Sequence, residues 1–171
     1  MNNEQISDIV AGLLEKFSIK RAPVPVDAIA KGLGIEITEL PGDDEISGAM
    51  IRTEDRTIIA VNPAHHSNRQ RFTIAHELGH YHLHQGLERH VAQNFRIAWR
   101  NADSSKAINW TEIQANRFAA ELLMPTEFLE RDLNALQTVE YLSVALLVSK
   151  YKVSPEAMKI RLSQLGILGP F

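Results

Sequence analysis

The chain has 171 residues, of which 44% are hydrophobic and 23% charged, with a net charge of −3 and no cysteine. These values are typical of one globular domain, and they exclude disulfides, thiolate metal sites and a cysteine nucleophile. The slightly acidic balance provides no overall attraction to nucleic acid or to an anionic membrane. The first ten residues lack the basic and apolar pattern of a signal peptide, so we expect a cytoplasmic protein with no membrane partner.

The N-terminal third is predicted to form two helices and a small sheet. Apolar residues recur at helical spacing over residues 4–17, and Pro25 suits the first turn of a short second helix that ends before Gly34. Three strand-like runs follow, at residues 35–40, 46–52 and 57–61. The turn between the last two runs predicts a hairpin, whose edge offers a place for an extended peptide.

A third helix is predicted to begin at Ser67, because Ser67 and Gln70 have the spacing of a capping box. Gly86 is a plausible C-terminal stop for this helix. Its inward stripe consists of Phe72, Ala75, Gly79 and Leu83. The following residues 87–108 predict a long loop with a short strand at Val91, Phe95, Ile97 and Trp99.

The remainder of the chain is predicted to be helical. Asn109 is expected to cap a helix that Pro125 ends, and the pair Ser154–Pro155 is expected to open the last helix. The three closing helices are predicted near residues 126–135, 138–150 and 155–165.

The residues His76-Glu77-Leu78-Gly79-His80 match the pattern HExxH within the third predicted helix. Two histidines four residues apart lie on one helix face, close enough to bind one metal ion. Glu77 flanks that face, where its carboxylate can take a proton from a metal-bound water. The alternative is a helix with two solvated or capped histidines, and the independently predicted helix makes it the weaker interpretation.

A catalytic zinc site takes a third protein ligand, which without cysteine must be His, Asp or Glu. Glu112, near the start of the next helix, is the best candidate. Asn116 lies four residues further on, where its amide can orient a ligating imidazole. The alternative is that Glu112 completes a capping box with Asn109 and that Asn116 is an ordinary polar helix residue.

Several other residues are weaker candidates for metal binding. His84 lies too far along the helix axis from His76 to share one ion, and we interpret it as a charge near the helix C-terminus. His82 faces away from the pair, and Glu121 is a weak alternative to Glu112. Three more histidines are interpreted as surface residues that are able to touch a substrate: His65, His66 and His90.

Three segments resemble the ImmA/IrrE family of metallopeptidases: RQRFTIAHELGHYHLH at 69–84, EIQANRFAAELLMP at 112–125, and VDAIAKGLGIEI at 26–37 with VNP at 61–63. The resemblance implies a gluzincin-like site that holds one Zn²⁺ per chain. In that site His76, His80 and Glu112 would be the ligands and Glu77 the catalytic base.

The resemblance also implies an α+β fold and a substrate class. We expect a small three-stranded antiparallel sheet packed on a mainly helical, zincin-like domain at residues 1–125, with a C-terminal helical segment at 126–171 packed on the same domain. Members of the family cleave helix-turn-helix repressors of mobile elements or stress regulons, so the expected partner is such a repressor. The group that stabilises the oxyanion is left open among Tyr141, His90 and the histidines that precede the third helix.

Two other functions are kept as alternatives. Residues 139–165 faintly resemble a helix-turn-helix DNA reader with nearby basic residues Lys150, Lys152, Lys159 and Arg161. The acidic remainder of the chain instead favours two closing helices with solvated lysines, so direct nucleic-acid binding is not expected. The other alternative is a toxin–antitoxin or repressor-binding component that uses the metal site structurally.

Overall fold

Seven helices and one four-stranded sheet form the part of the chain that the computed structural model describes, which is residues 1–40, 46–84, 89–93, 107–136 and 141–168. The helices are α1 (Asn3–Lys16), α2 (Val26–Gly32), α3 (Ser67–Leu83), α4 (Ala107–Leu123), α5 (Thr126–Leu136), α6 (Tyr141–Tyr151) and α7 (Pro155–Gln164). The strands are β1 (Ile35–Glu39), β2 (Ile46–Arg52), β3 (Thr57–Val61) and β4 (Arg89–Gln93). The predicted α+β class is confirmed.

The sheet has the strand order β1-β3-β2-β4 and mixed strand directions. β2 and β3 form the predicted antiparallel hairpin, with Met50 opposite Ile59. β1 runs parallel to β3, with Ile37 beside Ile59, and β4 runs antiparallel to β2. The expectation of three antiparallel strands is therefore corrected to four strands with one parallel pair. A period of two residues shows which face of a strand is buried, but it does not show which neighbour the strand pairs with.

Neither side of the β2–β3 hairpin is available to an added strand. β1 pairs with β3 on one side and β4 pairs with β2 on the other. The hairpin edge was the expected docking place for an extended peptide, and that expectation is wrong. β4 contains Val91, where a short strand was predicted. The other residues of that pattern, Phe95, Ile97 and Trp99, lie outside the described residues.

Two predicted helix caps are wrong and one is confirmed. The N-cap of α3 is His66, whose Nδ1 accepts a hydrogen bond from the backbone N–H of Asn68 at 3.1 Å, and this replaces the capping box expected at Ser67. An imidazole Nδ1 can accept this bond as an Asx oxygen does. α4 begins at Ala107, so Asn109 lies inside its first turn rather than at its cap. The Ser154 hydroxyl caps α7 as predicted, whereas Gly86 lies outside the described residues.

One hydrophobic core joins the sheet to helices from both ends of the described chain. It contains Ile6 and Val10 of α1, Met50 and Ile59 of the sheet, Ala75 and Leu78 of α3, Phe118 and Leu122 of α4, Leu129 of α5, and Met158 and Leu162 of α7. α3 therefore lies between the sheet and α4, and its buried face is fixed from both sides. In the part of the chain described here, no helix combines the length and apolar character needed to cross a membrane.

Gly79 allows α3 and α4 to approach each other closely. A Cβ atom at this position would lie 3.0 Å from Ala115 Cα and 3.1 Å from the Ala115 carbonyl oxygen, which are backbone atoms that cannot rotate away. Gly12 of α1 is the natural comparison, because a Cβ there meets no atom within 4 Å. The contrast predicts that Gly79 is required by packing.

We expect the free energy of unfolding of Gly79→Ala to fall below that of Gly12→Ala by about 1–3 kcal/mol, the usual cost of overpacking a buried site. Both substitutions gain the same helix propensity, so their difference isolates the packing term. Urea unfolding of the two variants measures it. Equal stabilities would show that α4 can move away from α3 at no cost.

Candidate metal centre

The packing of α3 against α4 brings two histidines and one glutamate together. His76 and His80 lie one turn apart on α3, and Glu112 lies in the first half of α4. The two Nε2 atoms are 3.0 Å apart. The Glu112 oxygens lie 3.3 Å from His76 Nε2 and 3.2 Å from His80 Nε2. The three residues suggested from the sequence as metal ligands thus form one cluster, and no other cluster of this kind is found among the described residues.

The size of this cluster can be compared with what a zinc ion requires. Zinc binds imidazole nitrogen and carboxylate oxygen at about 2.0–2.2 Å with tetrahedral geometry, which separates neighbouring ligand atoms by about 3.3 Å. The Nε2 atoms lie 3.0 Å apart, each has one of the two Glu112 oxygens at 3.2 or 3.3 Å, and one ligand atom from each residue lies within 4.8 Å of the others, which is close enough for one ion. The donor set of two imidazoles and one carboxylate also suits zinc and leaves a fourth position for water. The residues present therefore fit the ion.

The charge balance of the cluster also favours a cation. His76 and His80 are fully buried, and the Glu112 side chain is 24% exposed. Three lone-pair donors that converge in a buried place repel one another unless a metal ion or a shared proton lies between them. Of the three side chains in the cluster, that of Glu112 has the most contact with solvent.

Asn116 lies one turn after Glu112 on α4, and its side-chain oxygen is 2.9 Å from His76 Nδ1. An amide oxygen can only accept, so His76 donates its Nδ1–H, and in the neutral ring Nε2 then presents its lone pair to the cluster. This contact has the geometry that the spacing of Glu112 and Asn116 suggested.

Glu77 lies between the two histidines in the sequence, and it is fully buried. It follows His76 directly and precedes His80 by three residues, so it lies beside the ligand pair on the helix surface. Its position on the helix agrees with the flanking placement that the HExxH pattern predicts for a general base.

His84 takes part in this cluster, and sequence reasoning missed it. Its Nδ1 lies 3.0 Å from His80 Nδ1, and its Nε2 lies 3.0 Å from the Gln114 side-chain oxygen. The interpretation of His84 as a helix-terminal charge is therefore incomplete. Its position four residues after His80, on the same helix face, was the available signal.

Three other histidines with described side chains, His65, His66 and His82, do not belong to the cluster. His82 stacks on Phe118 with ring centroids 5.7 Å apart, and burial, followed by the charges of Lys16 and Arg52, lowers its pKa. His65 is buried rather than on the surface, which corrects its interpretation, and His66 is the exposed N-cap of α3. The side chains of His90 and Tyr141 lie outside the described residues, so the oxyanion group stays open.

Glu121, the weak alternative ligand, is engaged elsewhere. It forms a buried ion pair with Arg161 of α7 and accepts a hydrogen bond from the Thr126 hydroxyl. Arg161 is 2% exposed and also donates to the Met124 carbonyl oxygen at 3.1 Å.

Lys150 pairs with Asp132 at 2.7 Å. Two of the four basic residues behind the DNA-reader alternative are therefore paired within the protein, and Arg161 is inaccessible to a phosphate.

A mixed sheet, an HExxH helix packed on it and a glutamate from the next helix together define an α+β domain with a histidine–glutamate cluster that could hold a metal ion. The Peptidase_M78 family, described as the IrrE N-terminal-like domain, matches residues 30–163, and the chain belongs to this family. The resemblance to the ImmA/IrrE family is thereby confirmed.

Two individual proteins illustrate the relationship. The chain is 32% identical over 110 residues to Metallopeptidase ImmA of Bacillus subtilis (strain 168), a match that covers 60% of this chain and 59% of that protein. The chain therefore spans less than two thirds of this relative. A solved Mycobacterium tuberculosis transcriptional regulator matches with a TM-score of 0.64 and 17% identity, over 94% of this chain and 46% of that one. At this identity the likeness shows a shared fold.

Proposed function

We propose that this protein is a zinc-dependent endopeptidase. The observation that carries the proposal is the convergence of His76, His80 and Glu112 at separations of 3.0–3.3 Å, beside the buried carboxylate of Glu77. Membership of a peptidase family and the likeness to a metallopeptidase support the same reaction class.

The proposed mechanism divides the chemistry between the ion and the protein. Bound zinc would supply Lewis-acid polarisation of the scissile carbonyl and a lowered pKa for the attacking water. Glu77 accepts the proton of that water and delivers it to the leaving amine nitrogen. Asn116 holds the His76 ring in the tautomer with a free Nε2. Burial of Glu77 and both histidines excludes bulk water and strengthens each electrostatic contact.

The sheet suggests where a peptide substrate binds. Within the described residues β4 pairs on one side, with β2, and it also contacts α3, which carries the HExxH motif. A peptide in extended conformation can hydrogen-bond to the unpaired side of an edge strand. We therefore replace the hairpin edge with β4 as the proposed docking strand.

We further propose that the substrate is a helix-turn-helix transcriptional repressor. The support is the family resemblance together with the likeness in fold to a protein named as a transcriptional regulator. The direct experiment incubates the zinc-loaded protein with a purified candidate helix-turn-helix repressor and identifies any new termini by mass spectrometry. Cleavage at one bond, stopped by a chelator and restored by zinc, supports the proposal; an intact repressor under these conditions contradicts this substrate.

The metal content gives the more basic test. Protein purified after expression with zinc is expected to carry about one zinc per chain, and His80→Ala is expected to lose most of it because one of three protein ligands is gone. His66→Ala removes an exposed histidine outside the cluster and is expected to keep the ion. Elemental analysis measures all three proteins. Metal-free wild-type protein would overturn the proposed centre.

A further inference from the structure

A chain of hydrogen bonds leads from the metal centre to the beginning of the described polypeptide. His80 Nδ1 lies 3.0 Å from His84 Nδ1, and His84 Nε2 lies 3.0 Å from Gln114 Oε1. Gln114 Nε2 donates to the Met1 carbonyl oxygen at 2.8 Å. We call these three contacts, through His80, His84, Gln114 and Met1, the hydrogen-bond chain.

The Met1 carbonyl fixes the orientation of the Gln114 amide, and with a neutral His84 it also sets the direction of the other two bonds in the hydrogen-bond chain. A carbonyl oxygen can only accept, so the amide nitrogen of Gln114 faces Met1 and the amide oxygen faces His84. His84 must then donate from Nε2. A neutral imidazole with a proton on Nε2 has a lone pair on Nδ1, which accepts the Nδ1–H of His80.

The consequence for the metal centre lies at the other ring nitrogen of His80. When Nδ1 of His80 carries the proton, Nε2 has a free lone pair, and Nε2 is the atom that lies 3.0 Å from His76 Nε2 and 3.2 Å from Glu112. We propose that His84 and Gln114 are positioning residues that hold His80 in its metal-binding tautomer and ring orientation. This inference rests on the proposed zinc centre and deepens it.

The two ligand histidines are thus supported in different ways. At Nδ1, His76 contacts Asn116 of α4 directly. At the corresponding atom, His80 contacts His84 of its own helix, and Gln114 of α4 follows as the next residue of the hydrogen-bond chain. Met1 adjoins Asn2, the N-cap of α1, and α1 packs against α4, so the hydrogen-bond chain also joins the beginning of α1 to α4.

The test compares two substitutions at His84. Leucine removes the hydrogen-bond acceptor that His84 Nδ1 provides. Asparagine places its amide oxygen at nearly the same distance from Cβ as the Nδ1 atom of histidine, so it can still accept from His80. We expect His84→Leu to raise the zinc dissociation constant about 10–100-fold, the usual effect of removing such a partner, and His84→Asn to recover most of the affinity. Competition with a chromophoric chelator measures these constants.

Three controls separate a positioning role from a general structural one. Asn116→Leu removes the partner of His76 and is expected to weaken zinc binding to a similar extent. His82→Leu alters a histidine of the same helix that stacks on Phe118 and is expected to bind zinc as the wild type does. Circular dichroism of the metal-free proteins checks that each variant is folded.

The outcomes also separate this inference from the proposed function. If wild-type protein binds zinc and His84→Leu binds it equally tightly, the positioning role is wrong and the zinc centre stands. If wild-type protein binds no zinc, both are wrong.

Long-range ¹H–¹⁵N spectra of zinc-loaded wild-type protein give an independent test that needs no variant. They are expected to show His84 protonated on Nε2 alone, and a proton on its Nδ1 would overturn the inference.

Discussion

Replacing Glu77 with glutamine is expected to lower the rate of peptide cleavage by about 10²–10⁴-fold while zinc stays bound. Glutamine nearly matches glutamate in size but cannot accept the proton of the attacking water, so general-base catalysis is lost. The metal ligands are untouched, because Glu77 is proposed to contact the water rather than the ion. Steady-state kinetics and elemental analysis of the same preparation measure both quantities.

A glutamate outside the centre provides the matched control for this substitution. Glu130 of α5 is exposed, and Glu130→Gln makes the same change of charge with no expected effect on cleavage. Wild-type cleavage by Glu77→Gln would contradict the proposed mechanism. Loss of zinc together with activity would instead assign Glu77 a role in metal binding.

Replacing Arg161 with methionine is expected to destabilise the fold by about 3–5 kcal/mol, because Glu121 would be left as a buried charge without its partner. The two side chains are 2% and 9% exposed, and the arginine also satisfies the Met124 carbonyl and the Thr126 hydroxyl. Urea unfolding measures the loss. This ion pair is where α7 is attached to the C-terminal end of α4.

Two further variants show whether the loss comes from the unpaired charge. The double variant Arg161→Met with Glu121→Met removes both charges and is expected to recover most of the stability, as replacing a buried pair by apolar residues often does. Lys150→Met breaks a pair whose lysine is 46% exposed, and its cost should be at most about 1 kcal/mol. A cost below 1 kcal/mol for Arg161→Met itself would show that Glu121 finds another partner.

The short-range features of this protein follow from its sequence because they depend on neighbours along the chain. The HExxH pattern needs only a helix, and the spacing of four residues then sets His76 and His80 on one face. The Ser154 cap and the hairpin joining β2 and β3 depend on a few adjacent residues and are confirmed. The same local reasoning gave the wrong N-cap for α3, because the neighbouring residues His66 and Ser67 both have a side chain that can accept a backbone hydrogen bond.

The long-range features required the tertiary structure. Apolar alternation predicted the strands but not the parallel pairing of β1 with β3 or the addition of β4 to β2, since both join segments that are distant in the chain. His84 and Gln114 are separated by 30 residues, so no local pattern could show that they meet.

The sequence by itself determined the family, the α+β class and the ligand types available to a metal. It determined these because residue identity and short spacings define which atoms can donate and which helix face they share. Only the tertiary structure decided that Glu112 reaches both histidines, that Glu121 belongs to Arg161, and that the hydrogen-bond chain ends at Met1. Those contacts depend on how α3, α4 and α7 pack. The absence of a side chain at Gly79 allows the close approach of α3 to α4, and the shape of the shared core positions α7.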